Sequence, residues 1–516
     1  MGRSSALTPG PADLEDYSEK KSLFSAPDGT RYWAERVGDK ILHHELGTDA
    51  QGRTVYDLSV PVSLAIGSGT RGKTYGVNRD GIIFQSPITW YSEKGGHFQL
   101  SPGYENVAAN PRFSRRMIED CLVCHIGRME FDPEVPDKLV PPYFHEIAIG
   151  CERCHGPGER HVAAQQLQKS VSPDATIVNP ARLPLRERES ICNQCHLHGD
   201  SRNLRYGRNP RDFRPGMALE EIFCVFVKDD SPVGGTKAVS QVEQMRESAC
   251  YKSNPEKLGC TSCHDPHAWP EPRKRVEFYR SKCNDCHAER GCALPENRRK
   301  DQENSCIACH MPRTTPKDVV HASQTDHRVL KNPQPDSLSE TARAVGNVPG
   351  SIRVFDEGES RIPHWELQRI RVVLTVRNKQ SNNPREVLSQ LLPLMEVVPD
   401  DIPLILAIGT AYLEGKSFAE SRTILEKGIA LAPKNEQLHL QLAIVCLELK
   451  DFASAKIHIS HVVRLNPYVA RNFELQAKIL AAAGNHEEAL RAAERVLELD
   501  PTQSKLRDQL LKERRK

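Results

Sequence analysis

Six short segments of this 516-residue chain repeat one arrangement of thiols and an imidazole: Cys121-Leu-Val-Cys124-His125, Cys151-Glu-Arg-Cys154-His155, Cys192-Asn-Gln-Cys195-His196, Cys260-Thr-Ser-Cys263-His264, Cys283-Asn-Asp-Cys286-His287 and Cys306-Ile-Ala-Cys309-His310. Two thiols three positions apart can each form a thioether with a vinyl group on one edge of a haem. The histidine next in the chain then lies beneath the ring and ligates its iron. The twelve cysteines are therefore expected to hold six haem c groups, with the six histidines as proximal ligands. Structural zinc is the competing chemistry, because Cys263 to Cys283 and Cys286 to Cys306 each enclose 19 residues, a zinc-ribbon spacing. The histidine decides between them. It makes up 20 of 516 residues, about 4% per position, yet it follows every CxxC in the chain.

Each iron needs a second axial ligand or keeps an open face. Ten further histidines lie outside the C-terminal repeats: His43, His44, His97, His145, His161, His198, His267, His321, His327 and His364. Proximity to the motifs selects His145, His161, His198, His267, His321 and His327 as candidate distal ligands, with a surface or propionate-bonding role as the plain alternative for each. His161 and His267 follow their own motifs too closely to reach the far face of the same ring, so each is expected to cap a neighbouring haem. Met245 and Met311 read as packing residues. Imidazole on both faces closes an iron to substrate and suits an electron carrier, whereas a reductase needs an open face. No residue is assigned a catalytic role.

The elements that must position these groups fall into a mainly α fold with an antiparallel β start. Residues 1–114 form an N-terminal β-rich region: apolar and polar residues alternate from about Thr30 to Trp90, and Asp80–Gly81 between two such runs signals a hairpin. Residues 115–330 carry the motifs in a loop-rich stretch, 331–363 read as a polar linker, and 364–516 are helical. Gly67-Ser-Gly-Thr-Arg-Gly72-Lys73-Thr74 satisfies the phosphate-loop formula, but a helix must begin at Lys73 for that chemistry. The run TYGVNRDGIIFQ after Lys73 is β-patterned, so the segment reads as a turn.

The helical part repeats. Pro399, Pro433, Pro467 and Pro501 stand 34 residues apart, each after an apolar helix end. That is the tetratricopeptide period, and a coiled coil would be broken by such prolines. The reading gives an α-solenoid of three full units and a partial one. Gly409, Tyr412, Ala455 and Ala489 fall at its packing positions, and Cys446 is expected as a buried thiol. His439, His458, His461 and His486 read as surface or groove residues.

The 70 basic residues nearly cancel the 68 acidic ones, and no apolar run is long enough to span a bilayer. Nucleic-acid binding and an integral membrane segment are therefore not expected. Residues Met1 to Lys20 lack a secretion signal. Covalent haem attachment in bacteria nevertheless takes place outside the cytoplasmic membrane, so the motifs argue for the periplasm or the cell exterior. Cys224, Cys250 and Cys292 remain, and a disulfide between two of them is one outcome such a compartment allows.

Taken together, AIGSGTRGKTY, LSPGYE, CERCHGPGERH, CNQCHLHGD with DFRPG, LGCTSCHDPH and CHMPRTTPKDVVHASQTDHR make the chain resemble bacterial multihaem cytochromes of the c-552/4 type fused to tetratricopeptide repeats. The resemblance covers nearly the whole chain. It implies distal-ligand roles for His161, His267, His321 and His327. Relatives have a signal and a further CxxCH ahead of a segment like Met1-Gly-Arg-Ser, so a seventh haem site is expected upstream of Met1. Relatives often carry a histidine in the stretch matching AVSQVEQMRESAC, where this chain has Gln241. The expected function is electron transfer between redox partner proteins, with the repeats as docking scaffold. The alternative is an oxidoreductase acting on a small nitrogen or sulfur compound at one open haem.

Overall fold

In the computed structural model, residues 5–6, 15–49, 51–67, 72–104, 110–167, 174–228, 239–288, 291–314, 324–331, 352–355 and 361–514 are described. The alternating N-terminal runs form two antiparallel sheets. One orders Phe24–Ser25, Arg31–Val37, Lys40–Thr48 and Thr54–Val62. The other runs Ser5–Ala6, Leu64–Ile66, Gly72–Arg79 and Ile82–Tyr91, with both His97–Leu100 and Arg115–Arg116 pairing Ile82–Tyr91. Tyr32, Ala34 and Ile41 of the first sheet share a buried cluster with Tyr75, Ile88, Trp90 and Phe98 of the second. The Asp80–Gly81 hairpin is present, with Arg79 opposite Ile82. Both turn residues have positive φ, 53° and 89°, the left-handed geometry that matches a two-residue turn to strand twist. Lys73 and Thr74 lie inside the strand Gly72–Arg79, not at a helix start, and Lys73 Nζ donates to Glu15 at 3.0 Å.

β structure continues into the motif-bearing region, where the sequence suggested loops. Arg128–Phe131 pairs Leu139–Glu146, and Ser201–Leu204, Phe223–Lys228 and Ile352–Val354 form a three-stranded sheet. The run Phe-Cys-Val-Phe-Val at 223–227 is buried throughout, the pattern of a strand covered on both faces. Ile352–Val354 falls in the stretch expected as linker and is instead an edge of this sheet. The boundary after 363 also cuts a shared core: Leu367, Ile370 and Leu374 of helix His364–Arg377 pack on Cys224, Phe226 and Val354.

The helical pairs Ile402–Glu414 with Phe418–Leu431, Glu436–Glu448 with Phe452–Leu465, and Ala470–Ala482 with His486–Leu499 follow the 34-residue period, and Ser504–Arg514 begins a fourth unit. Gly409 is needed where it stands: a Cβ there would lie 2.7 Å from Leu425 Cδ2. Ala455, Ala489 and Cys446 are fully buried. Among the described residues no helix is long and apolar enough to cross a membrane.

One edge of the solenoid is turned back onto the rest of the chain. The residue after each periodic proline makes the contact: Asp400 with Tyr206, Lys434 with Glu134 at 2.5 Å, Tyr468 with Asp80, and Thr502 with Arg112 at 3.0 Å. These positions are again 34 apart (434 − 400 = 468 − 434 = 502 − 468). Tyr468 also meets Phe84 edge-on at 6.0 Å and lies under the Arg79 guanidinium at 5.2 Å. Arg112 reaches both ways, pairing with the buried Glu45 carboxylate and, at 2.7 Å, with Asp500. A repeated turn thus becomes a row of anchors.

Candidate functional site

All six motifs lie on or beside helical turns: Glu119–Leu122, Glu152–His155, the end of Leu185–His196, Cys260–Cys263, the end of Arg275–His287, and Cys306–His310. Helical spacing explains the pattern. Positions i, i+3 and i+4 share one face, so a helical turn presents both thiols and the imidazole on the same side.

The residues between the cysteines tie neighbouring motifs together. Arg153 Nη2 donates to the carbonyls of Val123, Ile126 and Gly127 at 2.9, 3.1 and 3.0 Å, closing the loop of the first motif. Gln194 of the third motif donates to Ile191 O at 2.8 Å, and its own carbonyl accepts from Arg202 at 2.7 Å. The thiols of the first and third motifs meet at Cys124 and Cys195, those of the third and fourth at Cys192 and Cys260, and those of the fifth and sixth at Cys283 and Cys306. A hydrogen bond from the Cys195 thiol, with Arg202 and Arg153 alongside, pulls Cys124 down to about 6. Burial pushes Cys283 up to about 12. Sequence reasoning passed over Arg153 and Gln194, since the x positions of a CxxC carry no ligand signal, and Arg202, which lies outside the motifs.

Several histidines are held in one tautomer. A carbonyl or carboxylate oxygen can only accept, so a ring nitrogen facing it carries the proton and the other nitrogen keeps its lone pair. Nδ1 donates in this way from His155 to Val178 O at 2.8 Å, from His310 to Leu330 O at 2.7 Å, from His327 to Thr325 O at 2.8 Å, and from His161 to Asp174 at 2.6 Å. That leaves the Nε2 lone pair available to a ligand-binding role, an arrangement also seen in metal-bound imidazoles. The His161 contact also holds the Asp174 carboxyl down, behind the larger effect of Thr176.

Two imidazole pairs face one another. His155 and His267 have ring centres 5.8 Å apart, and His264 and His327 have them 6.3 Å apart. With metal–imidazole bonds of about 2 Å, two rings on opposite faces of one metal have centres roughly 6 Å apart. His267 therefore lies against the histidine of the second motif, not its own. Burial lowers the pKa of both His264 and His327 and keeps them neutral, as ligands must be. The other expected distal residues are placed differently. His145 is on the hairpin strand Leu139–Glu146, 3.3 Å from Glu130, and His198 lies by Asp120. His321 lies outside the described residues.

The protein's own packing is missing where the motifs are densest. Buried apolar clusters form in the β region, around residues 122–144, around 191–242 and through the repeats. Among the described residues none of these clusters draws a member from 243–331, which holds three of the six motifs. Helices with so little apolar support need other material to pack on.

Cys224, Cys250 and Cys292 form no disulfide: Cys224 is buried, Cys292 is exposed, and Cys250 stands near Cys263 and Cys286. Among the described residues no three Cys, His, Asp or Glu side chains converge as a metal-ligand set. His43 and His44 are buried in the β region, away from the motifs. His43 Nδ1 is 2.7 Å from Ser86 Oγ, and His44 stacks on Trp33 at 4.3 Å. His439 is buried rather than a surface residue, with Nδ1 3.1 Å from that of His458 and its ring stacked on His461.

Comparison with known proteins bears on the helical part. No curated protein matches the chain. The solved structures named "MamA MSR-1 C2", "MamA RS-1 ArsTM double mutant" and "Crystal structure of MamA" are similar to part of it. Their identities are 18%, 21% and 14%, over 29%, 27% and 29% of this chain and 86%, 75% and 90% of theirs, with TM-scores of 0.27, 0.25 and 0.24. Residues 470–503 match the family model described as tetratricopeptide repeat, which identifies the helical pair Ala470–Ala482 and His486–Leu499 as one unit of that repeat.

Proposed function

We propose that the chain is a multihaem c-type cytochrome that carries electrons between redox partner proteins in the periplasm or at the cell exterior. The observation that carries this reading lies in 243–331: among the described residues there, three motifs sit on formed helices and none contributes to a buried apolar cluster, which suits covalently attached haem as the packing material. When bound, haem supplies a one-electron iron couple. The chain's residues do the rest. The cysteine pairs would attach it, His125, His155, His196, His264, His287 and His310 would each supply a ligand nitrogen, and His267 beside His155 and His327 beside His264 would supply a second. Carbonyl acceptors on Nδ1 fix the ring orientation and sharpen the basicity of Nε2. Arg153, Gln194 and Arg202 hold adjacent motifs in register.

The repeats serve as docking scaffold through their helix faces, since their turn edge already grips the chain's own body. The test is production of the chain, led by an added secretion signal, in a host with c-type maturation machinery. Six haems per chain in a pyridine haemochromogen assay, retained after denaturation, are expected. A soluble, folded protein without covalent haem, or with bound zinc in its place, would overturn the reading.

A further inference from the structure

Three imidazoles meet in the second helical pair of the repeats, away from the cysteine motifs. His439 is on helix Glu436–Glu448, and His458 and His461 stand one turn apart on its partner Phe452–Leu465. The His439 ring is oriented from one side: Nε2 faces the Pro433 carbonyl at 2.9 Å, so it carries the proton and Nδ1 keeps its lone pair. That Nδ1 lies 3.1 Å from Nδ1 of His458. Metal–imidazole bonds of about 2.0–2.1 Å place two neighbouring ligand nitrogens roughly 2.8–3.4 Å apart, for bond angles between square and tetrahedral. An N–H held by a backbone carbonyl behind the ligand nitrogen is also the usual support of a metal-bound imidazole. The His461 ring lies flat against His439, with centres 4.7 Å apart and planes at 11°, and holds its plane. The surroundings suit a cation. Arg422, within electrostatic reach of His458, is tied to Glu426 at 2.7 Å and to Asp451 at 2.9 Å, so two carboxylates offset one guanidinium. Burial first, then the neighbouring imidazoles, holds His458 down to about 4, which keeps it unprotonated at neutral pH. His439 is buried, but His458 and His461 are partly exposed, so small ions have a way in.

We propose that Nδ1 of His439 and Nδ1 of His458 bind one divalent transition-metal ion of the copper, nickel or zinc kind, with water completing its shell. Imidazole nitrogens select such ions over magnesium and calcium, which take oxygen ligands. Among the described residues no third Cys, His, Asp or Glu joins the pair as a ligand set, which leaves the remaining positions to water. Without the ion, Nδ1–H of His458 donates to His439. The ion takes that place once the His458 proton sits on Nε2 instead, so no proton is released. Bound there, it staples the two helices of one unit. It also steadies Pro433, whose neighbour Lys434 reaches Glu134 in the motif-bearing region. The site is independent of the haem reading above.

The experiment titrates nickel ion into the full chain, wild type and His458→Gln, and reads equilibrium dialysis together with hydrogen exchange of peptides from 436–465. His458→Gln, at unchanged circular dichroism, is expected to bind one equivalent fewer than wild type. Nickel taken up by the cysteine motifs is common to both chains and cancels in the comparison. In wild type, nickel at about 100 times its dissociation constant should slow exchange about 100-fold where the two helices open as a unit. The same addition should leave those peptides unchanged in His458→Gln, and magnesium ion should leave them unchanged in both. Equal nickel stoichiometry in the two chains would overturn the proposal and leave the His439–His458 contact as a hydrogen bond alone. Should His458→Gln fail to fold, the wild type decides by itself, since unaltered exchange across 436–465 at saturating nickel refutes the site.

Discussion

Arg112→Ala tests whether the β region and the repeats are joined by a buried charge. Arg112 is 12% exposed and pairs with Glu45, which is 0% exposed. Among the described residues Glu45 also accepts from Tyr56 Oη at 3.1 Å and Tyr32 Oη at 3.3 Å. Removing one partner of such a pair leaves a buried charge uncompensated, at about 3–5 kcal/mol. The partly exposed contacts to Asp500 and Thr502 add about 1 kcal/mol. In the double variant Arg112→Ala/Glu45→Gln the buried site is neutral, one tyrosine hydroxyl donates to the amide oxygen and the other accepts from the amide nitrogen, so stability should return to within about 2 kcal/mol of wild type. Urea titration followed by far-UV circular dichroism measures each step. A cost below about 1 kcal/mol for Arg112→Ala, or a double variant no more stable than the single one, would refute the reasoning.

Three further outcomes are expected from other parts of the molecule. Burial, then the neighbouring His44, holds His43 down to about 3, below an unfolded value of 6.5, so the folded state keeps it neutral. Its contribution is present above pH 6.5 and is lost as pH falls toward 3, at about 1.4 kcal/mol per pH unit. A His43→Gln variant should show a shallower acid slope than wild type in paired melts, and equal slopes would contradict the assignment. Gly409→Val places a Cβ 2.7 Å from Leu425 and should cost about 1–3 kcal/mol, read as a lowered melting midpoint of the helical signal. His327→Ala should turn one low-spin haem high-spin in EPR, and Gln244→Ala, which frees the His327 backbone, should shift the same signal in part. No spectral change in either variant would place the fourth motif's second ligand elsewhere.

Local pattern was readable where one chemical rule acts over a few residues. Asp80–Gly81 announced its turn because only a two-residue loop with positive φ closes those strands. The periodic prolines announced the helical units, and Gly409 and Ala455 their close packing. The strand Phe223–Lys228 was missed because a short apolar run has no alternation to betray it, and Ile352–Val354 because a three-residue edge strand looks like linker until its partner is known.

The sequence by itself determined which atoms are available for chemistry: six thiol pairs, each followed at once by a histidine, and a repeat of fixed period. Ligand chemistry and helical geometry act within five residues, so spacing alone is enough. Only the tertiary structure decided which groups meet across the chain: His267 with His155, His327 with His264, Gln241 with His196, and the repeat turns with Tyr206, Glu134, Asp80 and Arg112. Those pairings join residues tens to hundreds of positions apart. They are set by how helices and sheets pack, which no local spacing encodes.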